Sequence, residues 1–77
     1  MDHPEMTYGE KAVGLTFNPG ADEAVHRCKA GFAARIDQLS YLRRDSEDPE
    51  VKRLASIAIT EAQTAQMWAV KALTWKS

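Results

Sequence analysis

The chain has 77 residues, enough for one small domain, and a domain of this size buries only about 60% of its unfolded surface when it folds. Its formal charge is −1, from 10 basic and 11 acidic residues, so the whole molecule lacks the strong positive field that attracts duplex DNA. The single cysteine, Cys28, excludes an intrachain disulfide, and no histidine or cysteine pair has zinc-binding spacing. Part of the stability is therefore expected to come from other subunits.

The first 16 residues are predicted to form an arm that is irregular or only briefly helical. Pro4, Gly9 and Gly14 fall within this stretch, and its apolar residues follow no regular period. No charged segment followed by an apolar one opens the chain, so no secretory peptide is predicted. We expect the arm to lead through Phe17 into a hairpin domain over residues 17–77.

A first long helix is predicted over residues 19–44. Asn18-Pro19 places a favoured capping residue before a proline at the first helical position. Two acidic residues, Asp22 and Glu23, follow where negative charge stabilises the start of a helix. Apolar residues then recur every three or four positions, as on one face of an α-helix: Val25, Cys28, Phe32, Ile36, Leu39 and Leu42.

A second helix is predicted over residues 49–75, since Asp48-Pro49 repeats the start signal after a polar turn. Its alanines alternate spacings of three and four, and this seam of small side chains is expected to receive the first helix: Ala55, Ala58, Ala62, Ala65, Ala69 and Ala72. A turn this short makes the two helices fold back on each other. The predicted fold is all-α, an antiparallel two-helix hairpin with a short N-terminal arm.

The second helix also carries large apolar residues on sides away from the alanine seam: Ile57, Ile59, Met67, Trp68, Val70, Leu73 and Trp75. One partner helix covers only one face of another helix, so the remaining faces need cover from further subunits, and we predict a homo-oligomer. A membrane span is not expected, because Glu61, Lys71 and several hydroxyl and amide side chains interrupt the apolar run.

The residues favour a binding protein over an enzyme, because no catalytic constellation is found in the sequence. Asn18 and Gly20 stand where the amides of a helix start could receive a phosphate, although helix capping is the commoner role. Arg27 and Lys29 follow within reach of such a phosphate, or else form a solvated helix face. Phe17 by default would be a hydrophobic staple.

Further candidates lie at the turn and on the second helix. The basic residues near the turn either bind an anion or pair with neighbouring acidic residues, and pairing suits most of them: Arg43, Arg44, Lys52 and Arg53. Trp68 and Trp75 could stack on a base, but aromatic residues at helical spacing more often belong to a core or a subunit interface.

Several segments resemble the phage anti-CBASS cyclic-nucleotide sponges, whose hairpin domain also occurs in phage anti-Thoeris sponges. They are residues 13–19 (VGLTFNP) with Lys29 after them, residues 57–61 (IAITE) and residues 66–73 (QMWAVKAL). The resemblance implies a homo-oligomer, typically a hexamer, in the cytoplasm of the infected bacterium. It further implies sequestration of cyclic dinucleotides such as cyclic GMP-AMP, or cyclic trinucleotides, without cleavage and without a cofactor, which blocks CBASS immunity.

The resemblance also implies ligand contacts. The family's phosphate-contacting lysine matches Lys29, whereas its base-stacking tyrosine, counted back without gaps, falls at Gly14, so Phe17 or Tyr8 would have to stack on the base. Arg53 is similar to an arginine that some members carry before their Leu/Ala-rich run, which suggests a second anion pocket. The complete predicted ligand set is Tyr8, Phe17, Asn18, Arg27, Lys29, Arg53 and Thr60.

Two alternatives stay open at this point. The cargo could be a cyclic ADP-ribose-type Thoeris signal, which also carries phosphate and adenine. The protein could instead be a purely structural or interaction hairpin whose basic residues are solvated. Under the sponge hypothesis, Lys29 is expected to point out of the hairpin core toward a neighbouring subunit, because it is offset from Val25, Phe32 and Ile36 along the helix.

Overall fold

The computed structural model describes residues 5–76, and all regular structure in that part of the chain is helical. Helix α1 spans Tyr8–Val13, α2 spans Glu23–Asp45 and α3 spans Pro49–Leu73, with a single 3-10 turn at Pro19–Ala21. α2 and α3 pack side by side and are joined by only residues 46–48, so they form the predicted hairpin. α1 lies mainly against α2.

α1 corrects the expectation of an arm without a stable helix; residues 1–4 of that arm lie outside the described residues. The Thr7 hydroxyl accepts the Glu10 N–H at 3.1 Å, and the Glu10 carboxylate accepts the Thr7 N–H at 2.9 Å, which forms a capping box. Gly14 ends the helix in the left-handed conformation, with φ of 62°, as glycine at this position commonly does. The capping box at its start and the glycine at its end therefore define α1, which is too short to show an apolar period.

Gly9 lets α1 lie directly on the backbone of α2. A Cβ atom at this position would stand 2.1 Å from the carbonyl oxygen of Ala33, which no side chain can tolerate. The Gly9 N–H donates to the Asp37 carboxylate of α2 at 2.7 Å. Gly9 is therefore a packing residue rather than the helix breaker that its type suggests.

α2 begins at Glu23, whereas the sequence favoured a start at Pro19. The Asp22 carboxylate caps the helix, since it accepts the N–H groups of Ala24 at 2.8 Å and Val25 at 3.2 Å. These are the amides that a phosphate at the helix start would need. The helix start therefore lies beyond Asn18 and Gly20, where the anion was predicted, and an internal carboxylate already holds its first amides.

α2 cannot begin at Pro19 because the chain is bent at Pro19–Ala21. Gly20 and Ala21 have φ of 80° and 51°, which an α-helix cannot continue through. The Asn18 side chain holds this bend by exchanging hydrogen bonds with the backbone of Asp22, at 2.8 and 3.2 Å. Asn18-Pro19 therefore marks a turn, and the helix starts at the next acidic cap.

The alanine seam receives α2 only in part. The buried row of α3 runs through Ala55, Ile59 and Gln66, whereas Ala65 and Ala72 are exposed. Ile59 was expected on an outer side but is only 2% exposed and belongs to the core. Ala65 precedes Gln66 by one residue, which places it about 100° around the helix from the contact face, and Ala72 lies seven residues further along that same outer side.

Much of α3 keeps large apolar side chains on its surface. Their exposure ranges from 45% at Ile57 to 68% at Trp75, which lies just beyond the helix end. The others in this group are Leu54, Met67, Trp68 and Leu73. No helix within residues 5–76 has the combined length and apolar character needed to cross a bilayer.

Candidate ligand-binding groove

A groove of about 600 Å³ opens where the end of α1 meets α2 and the C-terminal half of α3. Its volume lies in the usual range of about 300–1,000 Å³ for small-molecule sites. All three helices and the loop after α1 contribute to its walls: Lys11, Ala12, Val13, Gly14, Phe17, Lys29, Gln63, Gln66, Met67 and Val70.

The charged side chains that line the groove are all positive. Its lining includes two lysines, Lys11 and Lys29, and none of its lining residues is a carboxylate. Such an arrangement raises the local concentration of anions although the whole chain is nearly neutral. Within residues 5–76, no three histidine, cysteine or carboxylate side chains converge as a metal site requires. The groove is therefore suited to a phosphate-bearing ligand.

Lys29 lies in this groove and does not extend freely away from the hairpin, contrary to expectation. It is only 6% exposed. Its ammonium donates to the carbonyl oxygen of Gly14 at 3.1 Å and to that of Phe17. A buried ammonium needs such partners, and the loop between α1 and α2 supplies carbonyls that no helix uses. Because an ammonium has three N–H groups, one remains for a ligand.

Phe17 stands beside this ammonium with its ring largely in solvent. The residue is 73% exposed, so it does not pack as the hydrophobic staple that its position suggests. Its ring centroid lies 5.6 Å from Lys29 Nζ, within the range of a cation–π contact. The groove therefore has a flat aromatic surface next to a fixed cation.

The chain matches the family described as Acb2/Tad1, hairpin domain, over residues 10–74. It belongs to the Acb2/Tad1 hairpin family. This is a family of phage sponge domains, that is, of binding domains, and the resemblance to anti-CBASS and anti-Thoeris sponges is confirmed. Comparison with curated proteins and with solved structures found no match.

Three residues of the predicted ligand set lie together in this Acb2/Tad1 hairpin. Phe17, Asn18 and Lys29 line a smaller cavity of about 240 Å³, which shares Phe17, Lys29 and Val70 with the main groove. The Asn18 side chain is held by the backbone of Asp22. It can therefore shape the loop that carries Phe17 even where it does not contact a ligand.

Arg27 and Tyr8 lie away from the groove. Arg27 opens onto a separate hollow beside His26, and its guanidinium is 3.6 Å from the Glu23 carboxylate. The Tyr8 ring faces Arg43, whose guanidinium carbon lies 5.5 Å from the ring centroid. Arg43 donates in turn to the Ser56 hydroxyl of α3 at 3.1 Å, so Tyr8 helps to join α1 to the hairpin.

Arg53 and Thr60 make local contacts on α3. The Arg53 guanidinium is 2.6 Å from the Glu50 carboxylate, and their hydrogen bond raises the pKa of Arg53 and lowers the pKa of Glu50. The exposed Thr60 hydroxyl donates to the carbonyl of Ser56 at 3.2 Å. Neither residue lines the groove of its own chain.

Lys11 and Gln66 are groove residues that the sequence analysis missed. The capping pair Thr7 and Glu10 could have predicted α1, and with it the position of Lys11 in the last helical turn. Gln66 follows Ile59 by seven residues, so it could have been placed on the core face of α3. Both signals were present but are weaker than the long apolar period.

Proposed function

We propose that this protein is a phage sponge that sequesters cyclic di- or trinucleotides, such as cyclic GMP-AMP, without cleaving them, and so blocks CBASS immunity. Membership of the Acb2/Tad1 hairpin family supports the sponge activity. The observation that carries the ligand class is the groove, which joins two lysines and an exposed aromatic ring without any carboxylate in its lining.

The recognition chemistry divides between charge and stacking. The Lys29 ammonium is held by the carbonyls of Gly14 and Phe17, so it is oriented before a phosphate arrives and loses little freedom on binding. Lys11 adds a second, mobile cation at the exposed wall. The Phe17 ring offers a purine a stacking surface, which is worth about 1–3 kcal/mol per base in nucleic-acid-binding proteins.

We further propose that the sponge works as a homo-oligomer, namely the hexamer that the family resemblance implies. A cyclic dinucleotide is nearly two-fold symmetric, and two copies of the groove related by a two-fold axis would supply every contact twice. A shared site would also give roles to Tyr8, Arg27, Arg53 and Thr60, which lie outside the groove of their own chain. The exposed apolar residues of α3 support self-association.

A second candidate cargo is a cyclic ADP-ribose-type signal. The matching family unites two branches under one hairpin domain, and anti-Thoeris sponges form one of them. Such a signal also combines phosphates with adenine, so the cations and the ring of the groove would serve it equally well.

Calorimetric titration of the purified protein tests this proposal, with cyclic GMP-AMP, cyclic tri-AMP and cyclic ADP-ribose as ligands. We expect tight binding of the cyclic nucleotides, and intact ligand after the complex is proteolysed and the released nucleotide is chromatographed. Binding of cyclic ADP-ribose alone would favour the second cargo, and binding of none would favour a purely structural hairpin. Linear nucleotide that accumulates with time would indicate an enzyme.

A further inference from the structure

Gln66 is a nearly buried polar residue inside the groove. It is 6% exposed, and in the described residues only Lys29 shares this degree of burial with a polar side chain. It lies on the row of α3 that faces the core, where Ala55 and Ile59 precede it. A polar side chain in such a position requires an explanation, because burying an amide without partners is unfavourable.

No hydrogen-bond partner for the Gln66 amide occurs within residues 5–76. Every fully buried side-chain nitrogen or oxygen in this part of the chain does have a partner. The unpartnered amide atoms of Gln66 therefore cannot be fully buried, and the surface they reach is the groove that Gln66 lines. By contrast, the neighbouring Gln63 donates its amide N–H to the carbonyl of Ala12 at 3.4 Å.

The fold itself does not need this amide. The other buried residues of the same helix row are apolar, and methionine has the length and flexibility to fill the space of a glutamine. The packing of α3 on α2 therefore does not require an amide at this position. The exposed edge of the amide opens instead into the groove that Lys29 and Phe17 also line.

We infer that Gln66 reads the N7 edge of the base in the groove and so favours adenine over guanine; this inference rests on the proposed function. A primary amide presents a donor N–H beside an acceptor oxygen and pairs bidentately with adenine. At the N7 edge adenine presents its amino group beside the N7 acceptor, which complements the amide. Guanine presents two acceptors, O6 and N7, at the same edge, and its own donor beside an acceptor, N1–H and O6, lies on the opposite edge of the ring.

The test replaces Gln66 by methionine in the full chain and compares binding of cyclic di-AMP and cyclic di-GMP by calorimetry. We expect the wild type to prefer cyclic di-AMP, and Gln66→Met to bind it roughly tenfold to hundredfold more weakly while its affinity for cyclic di-GMP changes much less. Gln38→Met is the matched control, because Gln38 is exposed on α2 and bonds Arg35 at 2.6 Å. Circular dichroism and thermal melting of both variants should match the wild type.

The outcomes separate the two proposals. A wild type that binds neither ligand overturns both the sponge proposal and the role of Gln66. A wild type that binds these ligands while Gln66→Met binds both as tightly as before, or loses both equally, overturns the role of Gln66 alone. A preference of the wild type for cyclic di-GMP overturns the assignment to adenine, and an equal loss in Gln38→Met shows that the effect is not specific to the groove.

Discussion

At the scale of single residues, Lys29 combines its proposed role in ligand recognition with a role in stability. Its ammonium ties the loop after α1 to α2 through the carbonyls of Gly14 and Phe17. The sequence favoured a solvent-directed side chain whose removal would leave the fold unchanged. The burial of Lys29 now predicts the opposite for the fold, because removing the ammonium takes a donor from the Phe17 carbonyl and leaves the Gly14 carbonyl only the Phe17 N–H.

We therefore predict that Lys29→Met weakens cyclic dinucleotide binding by about tenfold to hundredfold and also lowers the free energy of unfolding by about 2 kcal/mol. Calorimetry measures the first effect and urea denaturation the second. Lys11→Met should weaken binding without a loss of stability, because the Lys11 side chain is exposed. Lys76→Ala, beyond the end of α3, should change neither. A Lys29→Met protein as stable as the wild type would contradict the role of the two carbonyls.

The sequence singles out Lys29 as a candidate ligand residue, but its surroundings could not be predicted. Its partners are backbone carbonyls, and every residue type carries one. The residue types at positions 14 and 17 therefore do not predict the contact. The same holds for the groove position of Gln66, which depends on the exact rotation of α3. Residue types indicate which chemistry is possible, and the path of the backbone decides where it occurs.

At the scale of elements, the contact between α1 and α2 controls the groove wall. Gly9→Ala would place a methyl group 2.1 Å from the Ala33 carbonyl oxygen, so α1 must move away. We predict a loss of about 1–3 kcal/mol in the free energy of unfolding, together with weaker ligand binding, since α1 carries Lys11 and leads into Gly14. Urea denaturation and calorimetry report the two effects.

Gly31→Ala is the matched control for this prediction. Gly31 lies inside α2, and a Cβ atom there would meet no heavy atom within 4 Å. Alanine should therefore stabilise the helix by about 0.5–1 kcal/mol and leave ligand binding unchanged. If both alanine variants were equally stable, the close approach of α1 to α2 would not be a feature of the folded protein.

The long elements could be predicted from the sequence more easily than the short ones. The apolar period of α2 and α3 extends over several turns, and the polar turn at residues 46–48 separates them. α1 has six residues, too few for a period, so only its capping box indicates it. The sequence offers two good caps for the start of α2, Asn18 and Asp22. Gly20 lies between them in the left-handed conformation, so the helix begins only after Asp22.

At the scale of the whole molecule, one chain is a thin layer of helices. Its Cα atoms extend over 46 × 39 × 12 Å, so the smallest dimension is less than a third of either of the others. A layer this thin encloses few side chains on all sides, so its broad faces remain open. This geometry explains why the large apolar residues of α3 find no cover within their own chain.

Self-association is the prediction that follows from this open face. Light scattering after size exclusion should give a mass of several times the 8.6 kDa of one chain. Trp68 is 65% exposed, and a charged side chain in its place should be costly only where a second subunit would bury it. We therefore expect Trp68→Glu to shift the mass toward the monomer while the helical content is retained.

Tyr41→Glu provides the matched control for this substitution. Tyr41 is 50% exposed on α2, and a cation three residues later, Arg44, lies over its ring at 5.0 Å, just as Lys71 lies over Trp68 at 5.6 Å. The two substitutions thus remove an aromatic ring with the same local contact but from different helices. If α3 forms the interface, only Trp68→Glu should lower the mass. Equal loss in both variants would place the interface on α2 as well, and a monomeric wild type at micromolar concentration would remove the basis for an oligomeric sponge.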